Sequence, residues 1–270
     1  ALHLMNHDPH NPVCEICLHA HLKHMRHART GERSDDQLPP ITRKLTRLSC
    51  DVLIVAKAHE DISRRSEDGS TGVLTIRDMY TVLSLSFPLK KSNSLKIQEC
   101  LKWFMGVGWT RKPKTIVKSD CAGNLLHAIK ALGFNPDPSL ADHWPHNTAH
   151  ERSHVTTKSV QRASVLQAGT PPSSWDICIW YASVALNVTQ KAPLMPHEKN
   201  ANGQPLEAFV EKSNMSAWEC HFGEPFSGPI QPFGRLCYYL AKDTHPMEPR
   251  TRPGFFVGWK LEFGARYRGA

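Results

Sequence analysis

At 270 residues and 40% apolar, the chain is long enough for one sizeable core or for two to three smaller modules. Its formal charge of +8 and pI near 9.1 favour a polyanionic partner, nucleic acid or an anionic membrane surface. No stretch approaches the roughly 20 apolar residues that span a bilayer, and the His-rich start is unlike a secretory signal, so a soluble intracellular protein is expected.

Residues 1 to 30 crowd seven of the sixteen histidines around the close pair Cys14 and Cys17. The other six cysteines are scattered, which argues for reduced thiols with one metal knuckle rather than a disulfide framework. The first residue is Ala rather than Met, which suggests a piece of something longer. The polar stretch Thr30 to Pro40 reads as a linker. Leu45 to Ala56 is a buried strand, Ala58 to Gly72 a hydrophilic loop, Val73 to Ile76 a second strand and Tyr80 to Leu85 a third, ending at Phe87 and Pro88.

Ser94 to Met105 places apolar residues at helical spacing, Thr115 to Val117 is a fourth strand, and Asn124 to Leu132 is a helix stopped by Gly133. A loop rich in Pro and Asp runs to Asn147, followed by helices at Ala149 to Ala168 and Trp175 to Asn187. Beyond Lys191 the texture changes to Gly, Pro and aromatic residues, and Arg235 to Leu240 and Gly254 to Lys260 suggest a small all-β module. Three modules result: 1–30, 41–195 and 205–270.

Three carboxylates have settings suited to divalent metal. Asp51 interrupts an apolar strand, where a lone carboxylate is costly unless paired or bound to a cation. Asp120 closes the fourth strand, and Glu151 opens a helix 31 residues later. Phosphoryl transfer between nucleic-acid strands uses two cations about 4 Å apart, and Mg²⁺ takes hard oxygen ligands. Lys158 and Arg162 follow Glu151 at i+7 and i+11 on one helix face, with Val160 and Ala163 on the other. That face is either a phosphate-binding catalytic helix or a solvated salt-bridged one.

These residues resemble the integrases of copia-type retrotransposons, whose catalytic core is ribonuclease-H-like, as in retroviral integrases. Asp51 on its strand, Ile76-Arg77-Asp78 with Phe87-Pro88-Leu89-Lys90, Val117-Lys118-Ser119-Asp120, and Pro145-His146-Asn147-Thr148-Ala149-His150-Glu151-Arg152 are similar to the family's catalytic segments in order and spacing. Asp78 corresponds to a strand-turn residue and not a metal ligand. Downstream, Gln167-Ala168-Gly169-Thr170-Pro171-Pro172 with Trp175 follows the pattern. Phe233-Gly234, Glu248 to Gly254 and Phe256-Val257-Gly258-Trp259 resemble a small Src-homology-3-like barrel. Two departures bear on loop geometry: Cys121 stands where the family has Asn, and Thr148 stands where it has a flexible glycine.

The resemblance implies an α/β fold, a mixed sheet flanked by helices with an N-terminal zinc knuckle and a C-terminal small β-barrel. It implies Mg²⁺ or Mn²⁺ on Asp51, Asp120 and Glu151, with Arg152, Lys158 and Arg162 on DNA. It further implies joining of DNA 3′ ends to target DNA, a homo-oligomer without a membrane partner, and a nuclear location with a cytoplasmic phase. His3, His7, Cys14 and Cys17 form H-x3-H-x6-C-x2-C, a donor set for tetrahedral Zn²⁺, with His10, His19, His21, His24 and His27 as alternative imidazoles. A catalytically degenerate nucleic-acid-binding relic and a stand-alone ribonuclease-H-like nuclease are the competing expectations. Trp103, Trp175, Trp180 and Tyr181 read as core packing. Arg111, Lys112, Lys114, Arg250 and Arg252 read as phosphate contacts or as solvated turns.

Overall fold

The computed structural model of the chain describes residues 3, 11, 13–20, 41–55, 65–111, 115–138, 148–194, 198–200, 202–242, 247 and 249–268. A short helix α1 (Glu15–Ala20) precedes strands β1 (Arg47–Ile54), β2 (Gly72–Asp78) and β3 (Ser84–Leu89), which form an antiparallel meander. Helix α2 (Ser94–Met105), strand β4 (Ile116–Ser119), helix α3 (Gly123–Ala131) and strand β5 (Asn135–Pro138) follow. Both β4 and β5 run parallel to β1, giving a five-stranded mixed sheet in the order β3-β2-β1-β4-β5. Helices α4 (Thr148–Ala168) and α5 (Trp175–Thr189) complete the core. The expected α/β architecture, a mixed sheet flanked by helices, is present.

Strand alternation gives the sheet two unlike faces. Leu48, Cys50, Leu74, Ile76, Leu85 and Val117 are buried in one apolar cluster with Ile97, Leu101 and Phe104 of α2 and Leu125 and Ala128 of α3. Burying each large apolar side chain contributes about 1.5–3 kcal/mol, which makes this face the main source of cohesion. The opposite face carries Ser49, Asp51, Thr75, Arg77, Ser84 and Ser86 on paired positions of β1, β2 and β3. On this face Thr75 Oγ1 lies 3.2 Å from Ser86 Oγ. The free edge of β3 is closed by α5, whose Asn187 amide accepts from Ser84 N at 3.0 Å and donates to Ser84 O at 2.7 Å. Covering an edge in this way removes a template for unwanted strand pairing.

Local chemistry explains the helix bounds. Asn93 caps α2 by accepting from Lys96 N at 2.8 Å, and Gly106, at φ 77°, ends it. The third strand starts later than its β propensity predicts, because Asp78 captures the segment after β2. The Asp78 carboxylate accepts from Leu45 N (3.0 Å), Thr81 N (3.3 Å) and Thr81 Oγ1 (2.6 Å), winding residues 79–83 into a turn. Asp78 is therefore a turn residue, as expected. Strand β5 lies within the predicted Pro- and Asp-rich loop. Its sequence Asn-Pro-Asp-Pro breaks every strand preference, and the two prolines are tolerated because β5 is an edge strand.

The C-terminal segment departs from the expected small barrel. Its described residues hold helix α6 (Ala217–Phe222), a hairpin of β6 (Leu236–Leu240) with β7 (Thr251–Phe255), and a separate pair β8 (Leu261–Glu262) and β9 (Arg266–Tyr267). The side chains that a barrel would turn inward go to the central core instead. Trp218, Phe233, Trp259 and Leu261 belong to the same buried cluster as the sheet. Trp259 stacks on Tyr181 of α5 at 5.3 Å with ring planes 8° apart and donates from Nε1 to Pro229 O at 2.7 Å. A buried ion pair of Lys212 and Glu198, with Lys212 also donating to Tyr80 O at 2.6 Å, fixes the preceding loop to the turn after β2.

Candidate active site

Strand β1 is the middle strand of the sheet, and Asp51 lies in it on the polar face, opposite Thr75 of β2. The parallel register of β1 with β4 pairs Ser49 with Lys118. Asp120, two residues further on, follows β4 directly and is exposed. Its Oδ1 accepts from Ala122 N at 3.3 Å, turning the chain into α3. Glu151 stands in the first turn of α4, where the helix dipole favours an acid, and it is half-buried. Helix α4 packs on β1, on α5 and on α1. Three elements far apart in sequence thus deliver one carboxylate each.

Their convergence is visible in the electrostatics of Asp51. Burial is the largest cause pushing its carboxyl up to about 6, and the negative charges of Asp120 and Glu151 push it the same way. The Val52 backbone N–H and the Lys158 ammonium pull in the other direction. A cation between such groups would relieve both the burial and the repulsion. Hard oxygen donors of this kind suit Mg²⁺ or Mn²⁺. Among the described residues the three carboxylates do not close into a single group within 4.8 Å. A spread donor set is compatible with two ions about 4 Å apart, which need more room than one.

Of the three cations expected on this helix, Lys158 is half-buried and its charge reaches Asp51. Arg152 and Arg162 are exposed on the same helix, while Val160 and Ala163 are fully buried. The inward and outward faces of α4 are therefore as the spacing predicts. A residue that the sequence reading overlooked stands between them. His154, one turn beyond Glu151, is buried with Nδ1 3.6 Å from Asp51 Oδ2. At that separation a charged imidazole would pair with the carboxylate, but burial, with Lys158 beside it, lowers the imidazole to about 4 and leaves it neutral near pH 7. The signal was present in the spacing, since a histidine at i+3 from Glu151 and i−4 from Lys158 shares their face.

At the N-terminus, His3, Cys14 and Cys17 bring their ligand atoms within 4.8 Å of one another, with His3 Nε2 3.3 Å from Cys17 Sγ. One imidazole and two thiols at these separations fit tetrahedral Zn²⁺, whose bonds are about 2.0–2.3 Å long. His7, the expected fourth donor, lies outside the described residues, as do His10, His21, His24 and His27. The segment 139–147 before Glu151 is likewise outside them. Cys121 is exposed beside Asp120.

No family model matches this chain, and no curated protein does. Among solved structures the chain is similar to the HTLV-2 integrase catalytic core domain in complex with magnesium (trimeric form). The likeness covers 66% of this chain and 96% of that one, at 13% sequence identity and a TM-score of 0.40.

Proposed function

We propose that the chain is a retrotransposon integrase of the copia type, a polynucleotidyl transferase that joins the 3′ ends of element DNA to target DNA. The observation that carries the reading is the shared field of Asp51, Asp120 and Glu151, three carboxylates brought together from β1, the end of β4 and the start of α4. Asp51, Asp120 and Glu151 would hold Mg²⁺ or Mn²⁺, which supplies Lewis-acid stabilisation of the charge that develops in phosphoryl transfer. A 3′-hydroxyl would lose its proton to solvent as its oxygen attacks the target phosphorus in line; one P–O bond forms as another breaks, and the leaving 3′-oxygen takes a proton from solvent. No covalent link to the protein is involved.

Lys158, beside the carboxylates, would neutralise a bound phosphate, and the exposed Arg152 and Arg162 would follow the DNA backbone along α4. The net charge of +8 supports a polyanionic partner. Zn²⁺ on His3, Cys14 and Cys17, with His7 as the fourth donor, would hold α1, which packs on the same helix. A protein of this activity would work as a homo-oligomer in the nucleus after a cytoplasmic phase.

The test is a strand-transfer assay with labelled element-end DNA and a plasmid target in Mn²⁺, comparing the chain with Asp120→Asn and Glu151→Gln. Joined products that vanish in both variants are expected. Folded, DNA-binding protein that makes no more product than its variants would overturn the reading. Thr148 at the start of α4, in place of the family's flexible glycine, favours the second reading in that event: a degenerate integrase that still binds nucleic acid.

A further inference from the structure

Nothing in the three-carboxylate reading requires a histidine, yet α4 inserts one into the site. His154 is 8% exposed, and its Nδ1 faces Asp51 Oδ2 at 3.6 Å. That gap is longer than a hydrogen bond, which for N–H···O closes to about 2.7–3.2 Å. A cation shared by the two would draw them together by about 0.6 Å, to the separation of adjacent donors on one octahedral ion. With bonds of roughly 2.1 Å, adjacent donors stand about 3.0 Å apart and opposite donors about 4.2 Å. Glu151 precedes His154 by one turn and Lys158 follows it by one turn, so the imidazole sits in the row that already faces the carboxylates. Position and burial together set the imidazole where a cation held by Asp51 would meet it.

We infer that His154 is a nitrogen ligand of the carboxylate centre, sharing one divalent cation with Asp51 and biasing the site toward Mn²⁺ over Mg²⁺. This assignment rests on the proposed metal-holding role of Asp51. An imidazole nitrogen is a softer donor than a carboxylate oxygen or water. It therefore gains more from a transition-metal ion than from Mg²⁺, which prefers oxygen and sheds its water reluctantly. His154 would act as a specificity-determining residue for the metal, with the three carboxylates supplying the charge.

The full chain, first given one equivalent of Zn²⁺ to fill the N-terminal trio, is titrated with Mn²⁺, followed by the paramagnetic resonance of the free ion, and with Mg²⁺ by competition. In His154→Asn and His154→Ala the Mn²⁺ affinity should fall by about tenfold or more, the scale of loss seen when metal-site groups are removed, while Mg²⁺ affinity changes little. Electron spin-echo spectra of bound Mn²⁺ should show nitrogen coupling in the wild type, altered by ¹⁵N-histidine and absent in Asp51→Asn. That measurement needs no histidine variant and so survives any failure of one to fold.

Equal losses of Mn²⁺ and Mg²⁺ affinity in the histidine variants, or a wild-type ion without nitrogen coupling, would overturn the assignment while leaving the carboxylate centre intact. Mn²⁺ binding unchanged by Asp51→Asn would instead overturn the centre itself, and the proposed function with it.

Discussion

Asp51 of β1 and Asp120, which directly follows β4, share one field: the parallel register pairs Ser49 with Lys118, and each carboxylate lies two residues beyond that pair. The Asp120 charge raises the cost of ionising Asp51, which is half-buried. Removing the Asp120 charge should therefore lower the Asp51 pKa from about 6, and burial should still hold it above the ordinary 3.8. Carboxyl carbon chemical shifts of Asp51 followed through a pH titration of wild type and Asp120→Asn test this. An unchanged midpoint would mean that the two groups do not share a field.

Asp51 and His154 should pull stability in opposite directions between about pH 4 and 6. The raised carboxyl contributes stability that is present below 3.8 and lost as pH rises through about 6. The lowered imidazole contributes stability that is present above 6.5 and lost as pH falls through about 4. Without divalent ions, Asp51→Asn should gain about 1–3 kcal/mol at pH 7.5 and then lose stability more steeply on acidification. His154→Asn should tilt the curve the other way. Urea unfolding of the three proteins between pH 4 and 7.5 measures both slopes.

Divalent ions should raise the melting temperature, and more so at pH 7.5 than at pH 5. Below about 6 the metal must displace a proton from Asp51, which weakens binding. Asp120→Asn and Glu151→Gln should each abolish most of the rise. Thermal scans in Mn²⁺ at the two pH values give the answer, and a rise insensitive to pH would place the ion elsewhere.

Zn²⁺ should stabilise the chain through His3, Cys14 and Cys17, and hydrogen exchange along α4 should slow with it because α1 packs there. A chelator, or Cys17→Ser, should remove the effect. Protection of α4 that is indifferent to zinc would show that the knuckle does not brace the helix.

Asp78→Asn should cost about 2–4 kcal/mol, since the fully buried carboxylate accepts from Leu45 N and from Thr81 and its charge lies 3.7 Å from His221 Nδ1 of α6. Those hydrogen bonds, together with His221, hold the Asp78 carboxyl below its ordinary range against the cost of burial. Chemical unfolding at pH 7 measures the loss. A loss under about 1 kcal/mol would show that the amide replaces the carboxylate.

Much of the core was legible because its signals are local and periodic. The spacing of Ile97, Leu101 and Phe104, with Gly106 behind them, describes α2 completely, and the apolar setting of Asp51 exposes it as a costly residue in need of a partner. Strand β5 was illegible because β4 supplies its pairing while its own residues argue against a strand. The late start of β3 depends on Asp78 reaching Leu45 across 33 positions, which no local window contains. The expectation of a small barrel rested on the local segments around Phe233 and Trp259. Their true neighbour, Tyr181, lies on a helix some fifty to eighty residues earlier in the chain. His154 carries no signal of charge in the sequence, since a neutral imidazole adds none to the row of Glu151 and Lys158.

The contact between Gly106 and Gly264 bears on how the protein is born. A Cβ on Gly106 would meet Gly264 Cα at 2.9 Å, and Gly264 N donates to Trp103 O at 2.7 Å, so the end of α2 is finished only when that late turn arrives. Trp259, Leu261 and Ala265 come with it into the core. As the chain leaves the ribosome, the sheet and its helices emerge first and wait with an unsealed apolar surface. Residues up to 265 must be made before that part of the core can close, and a premature stop before them leaves apolar surface uncovered, of the kind chaperones bind.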